Sequence, residues 1–275
     1  NLERNNITHE GVIALNKLEQ LRLLNLNNNP IGDSGAKSLA SHPGIKTLLL
    51  REAGIGPIGA SALAKNTVLK KLNLSENQIL DEGAISLFSS ESLDHLILRQ
   101  CTITDVAAEA LEKNSSLSTL DLSYNTIGLR TLKVLSEHSK LERLLLVGNM
   151  INDEGAVLLG SCSDLDYLDL SENHITDDGG EILALMSCIK RLSLRSNPIL
   201  ARGIGAFEYN RTLLGLYYDD FMFIAQLNNR IQSMITINIQ AADIEQRMRL
   251  GFFHNRTRES GNPEKNTNDS SFHFI

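Results

Sequence analysis

The chain has 275 residues, 42% hydrophobic and 21% charged, which is enough apolar material for a sizeable buried core. Its net charge of −7 excludes the basic footprint of a general nucleic-acid or anionic-membrane binder. No apolar run approaches the ~20 residues that a membrane-spanning helix needs, and Cys101, Cys162 and Cys188 form neither a disulfide framework nor a C-x-x-C zinc pattern.

In chain order, "NLERNNI" (1–7) reads as the tail of a unit, because Leu2, Asn5 and Ile7 fall in the register of everything that follows. A segment opening in mid-unit predicts further chain upstream. The template L-x-x-L-x-L-x-x-N-x-I then starts at Leu21, Ile45, Leu69, Leu93, Leu117, Leu141, Leu165 and Ile189, with a degenerate start at Leu213, and every step is 24 residues. In each unit the L-x-L core, such as Leu72-Asn73-Leu74, predicts a short strand with leucines inward and the middle residue outward. An Asn column (Asn5, Asn29, Asn77, Asn125, Asn149, Asn173, Asn197) is expected to be buried where the chain turns away. An Asp column (33, 81, 105, 153, 177) is expected to cap the helix of its own unit. One unit buries only a few leucines, roughly 1.5–3 kcal/mol apiece, against ~1–2 kcal/mol per residue of ordering entropy. Units must therefore stack. The expected fold is α/β: a right-handed β-α solenoid with a parallel concave sheet and convex helices.

The repeat pattern resembles leucine-rich repeat proteins with ribonuclease-inhibitor-like units. "GAKSLA" (35–40) and "GASALA" (59–64), with the 24-residue length, resemble the GALA subclass of effectors from plant-pathogenic bacteria. The resemblance covers about 1–218. It implies a non-enzymatic protein-recognition scaffold without cofactor, metal, nucleic acid or membrane partner, monomeric and acting on a protein partner in a cytosol, a host's in the case of an effector. Such effectors carry an F-box, and this chain shows none. The alternative is the substrate-recognition arm of a ubiquitin ligase whose F-box or catalytic module lies outside the chain.

Three motifs compete with the repeat. Gly54-Ile-Gly56-Pro-Ile-Gly59 matches G-x-G-x-x-G between a strand and a helix, yet Gly59 and Gly56 belong to repeat columns and only Gly54 does not. The Asp-Glu-Gly and Asp-Asp-Gly stretches lack calcium-loop spacing. Cys162-Ser163-Asp164 resembles the Cys-x-Asp of a bacterial ubiquitin-ligase family, but sits in an inter-repeat loop. His95 alone among the histidines falls on the concave face, and reads as a solvated side chain.

The outward positions carry a longer period. The middle column runs Asn25, Leu49, Asn73, Ile97, Asp121, Leu145, Asp169, Ser193, Tyr217. Two residues on it runs Asn27, Arg51, Ser75, Arg99, Ser123, Val147, Ser171, Arg195. Repeats of an Asn/Asp class alternate with repeats of an aliphatic–Arg class, except at Val147 and Ser193, so this face repeats every 48 residues. Diagonal reach between strands predicts that Arg99 meets Asn73 and Asp121, and that Arg195 meets Asp169. The unit starting at Leu141 breaks the rule, because it presents Leu145, Val147 and Gly148 with no Arg. The expected partner-binding centre is therefore Leu145 and Val147, flanked by Asp121 and Asp169, with Arg143, Tyr124 and Tyr167 around it and Ile97 and Arg99 beside it.

After Leu216 the template fails. Residues 1–218 are expected to be the repeat domain and 219–253 a helical C-terminal cap in two segments. Residues 254–275 are expected to be a flexible tail.

Overall fold

The computed structural model describes residues 1–219 and 225–249. Nine three-residue strands, from Leu23–Asn25 to Gly215–Tyr217, form one parallel sheet in sequence order. Every pair is in register at a shift of 24, as in Leu24↔Leu48 and Leu120↔Leu144. Parallel neighbours need a crossover, and a helical segment supplies each one. The core lies between sheet and helices: Leu72, Leu74, Ile79, Ala84 and Leu87 of one unit are all at most 1% exposed.

The Asn column works across units. The amide of Asn77 donates to Leu74 O and Ser75 O in its own unit and to Leu50 O in the preceding one, while its Oδ1 accepts from Ala53 N and Ile55 N. Asn29, Asn125 and Asn173 repeat this pattern. Asn5 is instead exposed, its amide donating to Glu3 O of its own unit.

Ala53 and Cys101 interrupt the ladder, and the backbone changes with them. The unit before each has lost its Oδ1 acceptor. Ile31 N and Ile79 N turn onto the carbonyls of Asn29 and Asn77, and Gly32 N and Leu80 N reach Ala53 O and Cys101 O. Gly32 and Leu80 consequently sit at φ +61° and +56°, where other units begin their helix from extended backbone. Cys101 partly substitutes, its thiol donating to Leu74 O at 3.2 Å. Asn6, Gly54, Thr102 and Met150 also have positive φ, at steps of 48 residues. Gly54, the glycine outside the repeat columns, thus has a backbone reason.

The Asp column caps helices, but not its own. Asp33 Oδ1 accepts from Gly56 N and Gly59 N of the next unit at 2.7 and 2.8 Å. Asp105 takes Gly128 N, Arg130 N, Thr131 N and Thr131 Oγ1. Asp81, Asp153 and Asp177 likewise reach forward by one unit. The reason is position: each Asp lies in the first turn of its helix, beside the next helix N-terminus rather than ahead of its own. Where Leu129 leaves the following helix without this anion, Asn152 caps it from within. The apparent dinucleotide turn is thereby explained. The amides that would hold a pyrophosphate already hold Asp33, and a Cβ on Gly59 would lie 2.6 Å from that carboxylate.

A second polar column, absent from the sequence reading, follows the helices. Asn66 donates to Ala40 O and accepts from Val68 N and Leu69 N. Asn114 and Asn210 do the same, and His42 accepts from Gly44 N and Ile45 N. His138 shares the column, its Nδ1 accepting a long 3.4 Å bond from Lys140 N. Burial holds its pKa below the usual value, assisted by Lys140. A histidine with a depressed folded-state pKa is protonated first in the unfolded chain. Stability is therefore full above about pH 6.5 and falls as the pH drops below it. His138→Asn is expected to remove that acid-side loss and add about 1 kcal/mol through the ladder bonds, measured by denaturant unfolding at pH 7.5 and 5.5. An unchanged pH dependence would contradict this.

The described chain divides into compact units, Asn1–Asn238 and the part from Ile239 onward. One helix, Ala225–Arg249, occupies the region read as two segments, because it contains no Gly or Pro to interrupt it. Within the first unit Ile231, Met234, Ile235 and Asn238 are buried at helical spacing, and Asn238 donates to Leu213 O at 2.8 Å. In the second unit the described helical turns leave Ile239 and Ile244 about half exposed. Phe221, Phe223, Ile224 and the tail 254–275 lie outside the described residues.

Candidate recognition face

Strand register sets Ile97, Asp121, Leu145 and Asp169 side by side on successive strands, with Arg143 paired to Tyr167 in the adjacent row. Arg99, Tyr124 and Val147 follow just beyond the strand ends. Arg143 is exposed and the other eight side chains are partly exposed, so the predicted residues do form one continuous patch.

The two repeat classes differ in how one backbone N–H is satisfied. In the Asn/Asp class the middle side chain accepts from the N–H two residues on: Asn25 from Asn27, Asn73 from Ser75, Asp121 from Ser123, Asp169 from Ser171. In the aliphatic class no such acceptor exists, and at Arg51 and Val147 the preceding unit supplies one. Arg51 N donates to Asn27 Oδ1 and Val147 N to Ser123 Oγ. At Leu49 and Leu145 an aliphatic residue is thus tolerated because the neighbouring unit carries the acceptor.

The arginines do not meet the acids predicted for them. Arg99 stacks on Tyr124, with 3.9 Å from Cζ to the ring centroid. Arg143 stacks on Tyr167 at 4.4 Å and Arg195 on Tyr217 at 5.7 Å. Among the described residues, neither Arg99 nor Arg195 makes an ion pair, whereas Arg51 pairs with Glu76 at 2.8 Å. An aromatic face holds a guanidinium without stripping its hydration as a buried ion pair would. The three stacks span different sequence separations (25, 24 and 22 residues), so no fixed period reveals them.

Gly148 gives Tyr124 its path. A Cβ at Gly148 would lie 2.9 Å from the Tyr124 ring, and φ there is +66°. The ring crosses this residue, and its hydroxyl donates to Glu172 Oε1 at 2.7 Å, two units away. That bond pushes the Tyr124 hydroxyl pKa up, with burial adding to the effect. Arg99, Tyr124 and Glu172 therefore form one continuous rim beside Val147. Tyr124 is a strap across the patch rather than a peripheral ring, and Glu172 is a member that sequence spacing alone did not supply.

Desolvation pushes the Asp121 carboxyl above the usual range. The hydrogen bonds from Ser123 and the field of Arg99 oppose it, while Asp169 reinforces it. His95 lies next to Asp94, with Nδ1 2.8 Å from the carboxylate, and is less free than a solvated histidine. Among the described residues no cluster of three or more His, Cys, Asp or Glu is placed to hold a metal, and no helix is long and apolar enough to cross a membrane. Burial pushes the Cys162 thiol up to about 12, so at neutral pH it lacks the thiolate that a Cys nucleophile needs.

Comparison with known proteins agrees with the period. Profiles described as leucine-rich repeat match residues 91–151, and 19–40, 65–88 and 161–184. No curated protein matches the chain. Among solved structures it resembles internalin C2 from Listeria monocytogenes, with 22% identity and a TM-score of 0.56, over 78% of this chain and 84% of that one. It also resembles a chain of the mouse RP105/MD-1 complex, with 17% identity and a TM-score of 0.57, over 73% of this chain and 35% of that one. At these identities the likeness is one of fold. Period, cross-unit ladders, sheet order and profile matches converge: this chain folds as a leucine-rich repeat solenoid.

Proposed function

We propose that the chain is a non-enzymatic recognition module that binds a protein partner on the open face of its sheet, centred on Leu145 and Val147. One observation carries the reading. The unit starting at Leu141 keeps the backbone of its class, with Met150 at φ +61° as at Gly54 and Thr102, yet replaces the class arginine with Val147. The wiring of the fold does not require that change, so its consequence is on the surface. It leaves an apolar centre between two carboxylates, bordered by two Arg–Tyr stacks. A small apolar centre ringed by aromatic and charged groups has the composition of an interaction hot spot. The buried small pairs Gly35-Ala36 and Gly59-Ala60 support extending the proposal to an effector-type repeat acting on a host protein.

Leu145→Arg with Val147→Glu is expected to abolish affinity capture of the partner while leaving the thermal midpoint unchanged, since both side chains lie on the solvent face. Capture retained at wild-type level would sink the proposal.

A further inference from the structure

Asp121 and Asp169 perform a backbone task that Asn already performs in the same row. Asn73 Oδ1 accepts from Ser75 N at 2.9 Å and Ser75 Oγ at 2.7 Å, and Asp169 Oδ1 accepts from Ser171 N at 3.0 Å and Ser171 Oγ at 2.6 Å. Asn25 and Asp121 match in the same way, each taking the N–H two residues on at 2.9 Å. A neutral amide therefore suffices for the fold, and the carboxylates add only charge. That charge is unfavourable where it stands, because burial and Asp169 both oppose ionisation of Asp121. Among the described residues neither carboxylate has an ion-pair partner. Arg99, whose charge acts on Asp121, is stacked on Tyr124.

Both acids flank Leu145 in register, so two strand spacings, about 9–10 Å, separate their rows. That is too far for shared ligation of a divalent cation, whose oxygen ligands lie at about 2.0–2.6 Å. It is close enough to enclose one long side chain. Leu145 and Val147 lie between and beside the acids as an apolar floor.

We propose that Asp121 and Asp169 receive one basic side chain, Lys or Arg, of the partner protein, its aliphatic stem on Leu145 and Val147 and its charged head between the two carboxylates. Lys and Arg are built for such a seat, with an apolar stem and a polar tip. The proposal rests on the reading of this face given above, and it names the chemistry that the face selects.

The test uses fluorescein-labelled peptides Gly-Leu-X-Leu-Gly, with X as Arg, Lys, norleucine or Glu, titrated with the full chain and read by fluorescence polarisation. Three proteins are compared: wild type, Asp121→Asn/Asp169→Asn, and Leu145→Arg/Val147→Glu. The Asn pair retains the fold, since Asn25 and Asn73 already serve the row. Wild type is expected to bind the Arg and Lys peptides about tenfold more tightly than the norleucine peptide, with the preference shrinking at high salt. The Asn pair is expected to lose that preference, and the Leu145/Val147 variant to lose binding altogether. Norleucine or Glu peptides bound at least as well, with sensitivity only to the Leu145/Val147 variant, would overturn the basic-side-chain proposal and leave the recognition face standing. Binding by all three proteins alike, or by none, would overturn the proposal as well.

Discussion

Asn173→Ala is expected to destabilise the protein by about 3–5 kcal/mol, on the order of 10 °C in thermal midpoint. Asn173 is 3% exposed. It accepts from Asn149 N at 3.0 Å and Ile151 N at 2.9 Å, and donates to Leu146 O, Leu170 O and Ser171 O. Removing the amide strands two buried N–H groups, each worth about 1–3 kcal/mol when left unsatisfied. The loss crosses a unit boundary, so it weakens the coupling between stacked units on which a solenoid depends. Asn125 provides the internal comparison. It makes the corresponding bonds but is partly exposed, so water can replace the amide, and Asn125→Ala should be about half as damaging. Equal effects at the two positions in chemical denaturation would show that burial does not set the magnitude.

The second large effect is at Asp105. Asp105→Ala is expected to cost about 2–4 kcal/mol by equilibrium unfolding, a helix cap together with a stranded buried hydroxyl. Its carboxylate accepts four hydrogen bonds from the start of helix Leu129–Ser136, including Thr131 Oγ1 at 2.6 Å. Thr131 is 2% exposed, so its hydroxyl would be left buried without this partner. Desolvation pushes the Asp105 carboxyl up, but the bonds from Thr131, Gly128 and Arg130 outweigh it and hold the pKa below 3.8. The stability from this depressed carboxyl is complete above its unfolded value. It disappears as the pH falls through the lower folded value. The variant should therefore unfold in acid with a shallower pH slope than wild type. A wild-type acid profile with unchanged stability would show that the neighbouring helix does not need the cap.

The 24-residue period made the strands, the buried leucines and the Asn column legible, because each rests on one residue type at one spacing. It also made the 48-residue surface pattern legible, but not its cause. Register alone suggested Arg–Asp diagonals. The structure instead shows an N–H whose acceptor lies in its own unit in the Asn/Asp class and, at Arg51 and Val147, in the preceding unit, with Arg99, Arg143 and Arg195 resting on tyrosines. Those stacks depend on side-chain length and on Gly148 leaving room for Tyr124, neither of which leaves a periodic trace. The Asp column was read correctly as a cap and assigned to the wrong helix, since one sequence position does not tell which of two adjacent N-termini its carboxylate faces. The three glycines at 54, 56 and 59 separate in the same way: one sits in left-handed backbone, and two donate to Asp33.

The most direct test of the central claim compares two units of the same class. Leu145→Arg/Val147→Glu and the matched control Leu49→Arg/Arg51→Glu place the same residues on the sheet face, the control being at the unit that obeys the class rule. Affinity capture of the partner, with thermal midpoints recorded for both, is predicted to fail for the 145/147 pair and persist for the 49/51 pair. Loss at 49/51 with retention at 145/147 would contradict the claim that the unit breaking the pattern is the centre of recognition.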